Sequence, residues 1–181
     1  GYIAGSVDIT AAREAEAALR ESETRFRQLA DIAPSPVWLT DIDGAIDFAN
    51  AALREFFGEG SEMLSGQRWR EAVHPEDAAM VARIQQDSRP RREPYGFEAR
   101  IRRHDLAWRW MRISVKPRFD DDGVFLGYAG MAFDVTETRE ALDAAARQQR
   151  RQAFLLALVD RLWRALEADV EHMTVERHDE V

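Results

Sequence analysis

The feature that most constrains the fold is residues 127–142, GYAGMAFDVTETREAL, where a strand pattern changes into a helix pattern within a few positions. Residues 124–135 carry β-branched and aromatic side chains separated by small ones, which is typical of a strand. From Thr136 onward Glu, Arg and Ala predominate, and its position predicts that Thr136 caps the helix. Because this joint connects a sheet directly to a helix, we expect movement in one to be transmitted to the other.

A second copy of the joint occurs at the start of the chain. Residues 1–10 read GYIAGSVDIT and residues 127–136 read GYAGMAFDVT, and the agreement continues in the Arg-Glu-Ala triplets at 13–15 and 139–141. A repeat with a period near one domain length indicates a tandem array. We therefore expect residues 1–10 to be the last strand of a preceding module, followed by one complete copy of the next module.

The composition excludes several classes of protein. With 181 residues, 45% of them hydrophobic and 32% charged, the chain is long enough for one core with charged extensions. The absence of cysteine excludes a disulfide framework, a thiolate metal site and a cysteine nucleophile. The net charge of −8 argues against nucleic acid as a partner. With no signal peptide and no apolar run near the ~18 residues of a membrane span, we expect a cytoplasmic segment without membrane contact.

Arginines nevertheless concentrate in one short segment of this acidic chain. They are Arg83, Arg89, Arg91, Arg92, Arg100, Arg102 and Arg103. A solvated helix-to-strand connection with a charged strand face explains such a run, and an anion-binding patch is the alternative.

The segment before the first proline predicts a long helix over residues 11–33. Its apolar and small residues follow alternating three- and four-residue steps, as in the seam of a coiled coil, at Ala12, Ala15, Leu19, Ser22, Phe26 and Leu29. A helix packed on its own domain would show a similar pattern, and both arrangements can hold along its length.

The last helix is predicted from Thr136 to at least Ala168, and its heptad pattern is stronger. The same alternation continues without a break through Leu142, Ala145, Gln149, Gln152, Leu156, Val159, Trp163 and Leu166. A single helix of this length would be marginal in water, so we expect a partner helix.

Between the two helices, three long strands follow two short strands and several helical segments. In the second long strand, residues 107–119, Met111 alternates with Trp108 and Trp110, so the tryptophans point to the outer face. Met131 and Phe133 lie on the same outer face of the third strand. An antiparallel sheet normally exposes one face to water, so these four side chains predict a covering element.

This order of elements resembles a PAS domain, of the kind found in bacterial sensor histidine kinases. The resemblance covers about residues 22–136 and is carried by Glu23-x-x-Phe26, Asp43-Gly44, Asn50, Trp69 with His74-Pro75-Glu76-Asp77, Trp108-Arg109-Trp110, and Gly127-Tyr128-x-Gly130 through Asp134-Val135-Thr136. We accordingly expect a linker helix (11–33), a PAS domain (34–136), a signalling coiled-coil helix (137–170) and a frayed tail (171–181). The segment after about residue 150 looks like a connector toward a further domain.

The resemblance implies an α+β fold with a five-stranded antiparallel sheet, helices on one face and long coiled-coil helices at both ends. It also implies a sensory module that forms a homodimer and signals to neighbouring PAS and output domains of the same chain. Signal relay would involve Asp134, Thr136 and Arg139, with Asp134 accepting hydrogen bonds or pairing with Arg139. The dimer would use Leu19, Phe26, Trp108, Trp110, Met131, Phe133, Leu142, Leu156, Val159, Trp163 and Leu166.

Modules of this kind often enclose a small-molecule cavity on the inner face of the sheet. The expected lining is Trp38, Phe48, Asn50, Phe56, Trp69, Met80, Ile84, Phe97, Met111, Tyr128 and Ala132. This set fits an unknown small organic ligand or a filled hydrophobic core, and the sequence does not decide between them.

Cofactors are not expected. A light-sensing flavin is excluded because there is no cysteine for its adduct and Ala132 stands where a glutamine is usual. Haem would need an axial ligand such as His74, which belongs instead to a helix entry. We find no metal-ligand spacing, Ser/His/Asp set or glycine-rich nucleotide loop, so we do not expect an enzyme. The alternative to a sensor is a ligand-free dimerisation spacer.

Overall fold

The structure is a computed structural model that describes the backbone of residues 6–176 and the side chains of residues 9–164. Its helices are α1 (Ser6–Ile32), α2 (Ala51–Phe57), α3 (Pro75–Ser88) and α4 (Thr136–Glu176), with short 3₁₀ helices at Glu62–Leu64 and Arg68–Ala72. Its strands are β1 (Val37–Thr40), β2 (Ile46–Ala49), β3 (Tyr95–Arg102), β4 (Trp108–Phe119) and β5 (Phe125–Asp134). The described residues up to Thr136 form one compact unit, and the rest of α4 belongs to a second.

The five strands form one antiparallel sheet in the order β2-β1-β5-β4-β3. Its buried core includes Val81 of α3, the inward residues of the long strands, and Ala72 and Val73 beside the second 3₁₀ helix. Buried residues alternate with half-buried ones along β3 and with exposed ones along β4, as the period-two pattern predicts. The predicted fold, including long helices at both ends, is confirmed.

The expected strand within residues 1–10 is wrong for Ser6–Thr10, which lie in α1, while residues 1–5 lie outside the described residues. A strand needs a neighbouring strand for its backbone hydrogen bonds, whereas a helix satisfies them internally. Further along α1, arginine–glutamate pairs one turn apart support the helix, as in Arg20–Glu16 at 2.7 Å and Arg25–Glu21 at 2.8 Å.

The expected frayed tail is also helical as far as Glu176. No proline or glycine follows Thr136 in the sequence, so nothing local ends α4 before this point. Residues 177–181, the remainder of the expected tail, lie outside the described residues.

Two glycines allow β1 and β5 to approach each other closely. Gly127 has a φ of +117°, and a Cβ atom there would lie 2.1 Å from the carbonyl oxygen of Thr40. Gly130 pairs with Trp38 across the two strands, and a Cβ atom at Gly130 would lie 2.2 Å from the indole ring. Gly130 therefore leaves room for the Trp38 indole against β5, where the ring lines the inner face of the sheet.

The β4–β5 hairpin contains an irregularity that the alternation pattern did not predict. The pairing register shifts between Arg118 and Phe119, near the turn. As a result Phe125 packs on Tyr128, with ring centroids 5.2 Å apart, and Leu126 is exposed. A simple alternation would have placed Leu126 on the same face as Tyr128.

Helix α3 is fixed to strand β3 by the carboxylate of Asp77. Asp77 Oδ2 accepts hydrogen bonds from the backbone N–H and from Nε of Arg100, both at 2.9 Å, and Oδ1 accepts from Nη2 at 2.8 Å. Glu76 accepts a further bond from Arg100 Nη2 at 2.7 Å. The hydrogen bonds from Arg100 lower the pKa of Asp77 from 3.8 to about 2, because they favour the ionised carboxylate.

Asn50 joins the end of α1 to the sheet. Its side chain is fully buried, and its Oδ1 accepts from the backbone N–H of Val37 at 2.9 Å and of Leu53 at 3.1 Å. Its Nδ2 donates to the carbonyl oxygens of Ala30 and Ser35, both at 3.0 Å. One amide group therefore connects α1, β1 and the start of α2.

Candidate functional site

A cavity of about 70 Å³ lies between the inner face of the sheet and the helices that cover it. Seven of the residues expected to line it do so: Trp38, Phe56, Trp69, Phe97, Met111, Tyr128 and Ala132. The lining also includes Pro36, Thr40, Gly44, Ile46, Leu53, Phe57, Arg70, Gln85, Arg89, Tyr95, Ile101, Ile113 and Val115. The walls are therefore mainly apolar.

Four residues expected in the cavity lie elsewhere. The ring of Phe48 packs against Phe26 of α1, with centroids 5.2 Å apart, and Asn50 is occupied by its four hydrogen bonds. Met80 is 42% exposed on α3, and Ile84 packs against the core without lining the cavity. An apolar stripe on a helix does not by itself show which of its residues reach an internal space.

Three polar residues of the cavity were not predicted from the sequence, because they lie on or beside separate helical segments: Arg70, Gln85 and Arg89. Arg70, at the second 3₁₀ helix, donates from Nη2 to Gln85 Oε1 of α3 at 2.9 Å. Arg89, just after α3, donates from Nη2 to the carbonyl oxygen of Asp43 at 2.8 Å. The Tyr128 hydroxyl group donates to the Arg89 carbonyl oxygen at 3.2 Å. These contacts form a polar rim beside the apolar walls.

The ionisation of this rim follows from its surroundings. Partial burial lowers the pKa of Arg70, and the nearby positive charge of Arg89 lowers it further. Burial raises the pKa of Tyr95, although a hydrogen bond with Gln85 and the charge of Arg89 oppose this effect. The rim thus combines two guanidinium groups with neutral hydroxyl and amide groups.

His74, considered above as a haem ligand, is the N-cap of α3. Its Nδ1 accepts the backbone N–H of Glu76 at 3.2 Å, and its ring meets the edge of Trp108 with centroids 4.7 Å apart. It is not among the residues that line the cavity. The His-Pro-Glu-Asp motif therefore starts a helix and, through Asp77, attaches it to β3.

The joint between β5 and α4 is formed by two side chains with different partners. Asp134 Oδ1 accepts the backbone N–H of Thr136 at 3.0 Å, and its Oδ2 accepts from Arg109 Nε of β4 at 2.7 Å. Thr136 Oγ1 accepts the backbone N–H of Trp110 at 2.8 Å. Desolvation raises the pKa of Asp134, but the bonds from Thr136 and Arg109 outweigh it and the net shift is downward.

This geometry differs from the expected cap. Thr136 was expected to cap the helix, but its side chain is turned toward β4, and the acceptor for the first helical N–H is Asp134. Arg109, which is not among the expected relay residues, is the β4 partner of Asp134. Arg139, the third expected relay residue, follows in the first turns of α4.

The residues expected at a dimer interface are mostly exposed. Trp110 is half-buried beneath Arg100, whose guanidinium carbon lies 5.2 Å from the ring centroid. Leu166 lies in the part of α4 whose side chains are not described. The others are exposed hydrophobic side chains: Leu19, Phe26, Trp108, Met131, Phe133, Leu142, Leu156, Val159 and Trp163.

Comparisons with known proteins agree with this architecture. Residues 46–132 match the family model described as PAS fold. The structure resembles the PAS domain of a protein from Colwellia psychrerythraea, with a TM-score of 0.53 and 18% identity over 63% of this chain and 97% of that one. It also resembles a sensory box histidine kinase/response regulator from Burkholderia thailandensis, with a TM-score of 0.53 and 23% identity over 71% of this chain and 98% of that one.

A sequence relative is considerably longer. Over 134 residues, or 74% of this chain, the sequence is 40% identical to the uncharacterized protein y4lL of Sinorhizobium fredii. The matched segment spans only 16% of the length of that relative.

The sheet order, the inner-face cavity and the strand-to-helix joint define an α+β domain built on one antiparallel sheet. The family match makes this specific: the chain contains a PAS domain. Within the residues that the structure describes, no helix is long and apolar enough to span a membrane, and no cluster of side chains is suited to hold a metal ion.

Proposed function

We propose that this PAS domain is a sensory module that forms a homodimer and relays change in its sheet through α4 to an output domain of a longer protein. The observation that carries the proposal is the joint at Asp134 and Thr136. Its three hydrogen bonds connect β4, β5 and the start of α4, so a displacement of either strand acts on the first turn of the helix. The relative y4lL, which extends far beyond the matched segment, supports a modular context.

The surface of α4 supports the dimer. Its heptad positions include Leu156, Val159 and Trp163, which are 71%, 49% and 62% exposed. A row of exposed apolar side chains of this kind costs free energy in water unless a second helix covers it. A parallel pair is the arrangement that would carry the same displacement to two copies of an output domain.

The dimer can be tested with two matched leucine substitutions. Leu156→Glu places a charge in the seam, whereas Leu158→Glu places the same charge on an exposed apolar side chain outside it. In sedimentation equilibrium at micromolar concentration, we expect the wild type and Leu158→Glu to be dimers and Leu156→Glu to be monomeric. A monomeric wild type, or equal effects of the two substitutions, would contradict the proposal that the dimer forms along this seam.

The relay can be tested by changing the register of the helix in the full-length protein. Deleting Ala144 rotates everything after it by about 100° relative to the joint. Deleting residues 144–150 removes a whole heptad and keeps the seam on nearly the same face. We expect the first deletion to change output activity and the second to preserve it, and unchanged activity after the first would contradict the relay.

The size of the cavity favours a second candidate, a ligand-free dimerisation spacer. A volume of about 70 Å³ is small for a ligand pocket. Mass spectrometry of the denatured protein would reveal any retained small molecule, and a thermal-shift panel of metabolites would reveal weak binding. No retained molecule and no shift would favour the spacer.

A further inference from the structure

The rim of the cavity carries two positive charges that the cavity itself does not neutralise. Arg70 and Arg89 both line it, and none of its lining residues, all of which the structure describes, is acidic. Arg70 donates to the side-chain oxygens of Gln67 and Gln85, and Arg89 donates to the carbonyl oxygen of Asp43. All three acceptors are neutral.

Three other arginines of this domain bind carboxylates instead. Arg100 bonds to Asp77, Arg103 to Asp105, and Arg109 to Asp134. The arginine-rich segment noted in the sequence is therefore not one anion-binding patch, since four of its seven arginines pair with nearby carboxylates. Arg89 is the member of that segment that lines the cavity, and Arg70 joins it there from outside the segment.

Two guanidinium groups that line one cavity and have neutral partners favour an anionic ligand group. Guanidinium binds a carboxylate through two parallel N–H donors, and such charge-assisted bonds are stronger than bonds to amide oxygens. An anion would also relieve the repulsion through which Arg89 lowers the pKa of Arg70.

The remaining lining determines the rest of the ligand. Trp38, Phe56, Trp69, Phe97 and Met111 present apolar surfaces behind the rim. A space of about 70 Å³ holds roughly five water-sized volumes, which suits a compact apolar body rather than a nucleotide or a flavin.

We infer that the cavity binds a small monocarboxylate with an apolar body, whose carboxylate is held by Arg70 and Arg89 and whose body lies among Trp38, Phe56 and Trp69. This inference names the ligand class of the sensory module and rests on the proposed function for its meaning as a signal. Binding would also affect the β1–β2 turn, because the ligand competes with the Asp43 carbonyl oxygen for Arg89 Nη2.

The experiment uses the 181-residue chain, with two kinds of probe that differ in charge. The carboxylate probes are the linear acids from butyrate to octanoate together with benzoate and phenylacetate. The neutral probes are the corresponding primary amides, which match the acids in size. Thermal shift identifies the binders, and isothermal titration calorimetry measures Kd for each acid–amide pair.

We expect at least one acid to raise Tm by several degrees at saturation, and its amide to bind at least about tenfold more weakly. Arg70→Gln and Arg89→Gln should each remove this preference, and Arg83→Gln should retain it. Arg83 is a suitable control because it is 85% exposed on α3 and lies outside the cavity lining.

Equal affinity for acid and amide would overturn the inference, as would unchanged selectivity in Arg70→Gln and Arg89→Gln, or no binding by any acid. The relay is tested separately, by the register deletions in the full-length protein. Failure of the ligand class and failure of the proposed function can therefore be told apart.

Discussion

The side-chain oxygen of Thr136 accepts the backbone N–H of Trp110 at 2.8 Å, which connects the first residue of α4 to strand β4. Thr136 is only 5% exposed, so water cannot readily replace this bond. The neighbouring carbonyl oxygen of Trp110 accepts the backbone N–H of Val135 at 2.8 Å. Trp110 thus holds the strand-to-helix connection through both of its backbone polar groups.

Thr136→Val should destabilise the domain by about 1–2 kcal/mol, because it retains the shape of the side chain but leaves a backbone N–H of β4 without its acceptor. Thr136→Ser keeps the hydroxyl oxygen and should cost less. Urea unfolding followed by circular dichroism measures both differences. Equal stability of the valine variant and the wild type would show that this bond contributes nothing.

Asp77→Asn should destabilise the domain by about 1–3 kcal/mol at neutral pH, because it replaces the carboxylate that holds Arg100. Asp87→Asn is the matched control: its carboxylate is 62% exposed and lies 3.9 Å from Arg83, so the expected loss is below about 0.5 kcal/mol.

The advantage of the wild type over Asp77→Asn should also depend on pH. The pKa of Asp77 is about 2 in the folded chain, compared with an ordinary value of 3.8. The stabilisation is therefore complete above about pH 4 and is lost as the pH falls toward 2. Unfolding free energies of both proteins between pH 2 and pH 6 test this, and a constant difference across the range would contradict it.

Asn50→Ala should destabilise the domain by more than about 2 kcal/mol, because it removes one partner from four hydrogen bonds at a fully buried site. Ser61→Ala, which removes a single capping bond at a half-buried position, should cost about 1 kcal/mol or less. Chemical denaturation of the two variants gives the comparison. Similar losses of unfolding free energy in the two variants would mean that the buried Asn50 amide contributes no more to stability than a single capping bond.

Gly130→Ala should destabilise the domain and displace Trp38, because the new methyl group would lie 2.2 Å from the indole ring. Adding Trp38→Val to Gly130→Ala should remove the clash, so the two substitutions should be coupled in a double-mutant cycle. Additive losses in unfolding free energy would show that the ring moves aside without cost.

The sheet was predictable because its signal is local. Alternation along Phe97, Ala99 and Ile101, and along Met111, Ile113 and Val115, gives one buried face whatever the partner strand is. Gly127 and Gly130 belong to the motif that predicted the last strand, β5. The hairpin irregularity near Phe119 and Phe125 was not predictable, because a shift of register depends on how two strands meet.

The candidate site was less predictable because its polar parts depend on distant contacts. Arg70 and Gln85 are fifteen residues apart, and Arg109 and Asp134 twenty-five, and their spacing carries no periodic signal. Phe48 was assigned to the cavity from its strand, but Phe26 of α1 covers it instead. Polar residues on helices and arginines in a charged run look solvent-exposed until tertiary packing brings them together.

The bonds of Asn50 have a consequence for where this domain can be cut. Two of its contacts, with Ala30 and Ser35, lie upstream of residue 46, where the family match begins, and Asp31 Oδ1 accepts the backbone N–H of Ala51 at 2.6 Å. The autonomous folding unit therefore includes the last turn of α1. A truncation or fusion that starts at Pro34 would remove the contacts with Ala30 and Asp31, whereas one that starts a turn or more before Ala30 would keep them.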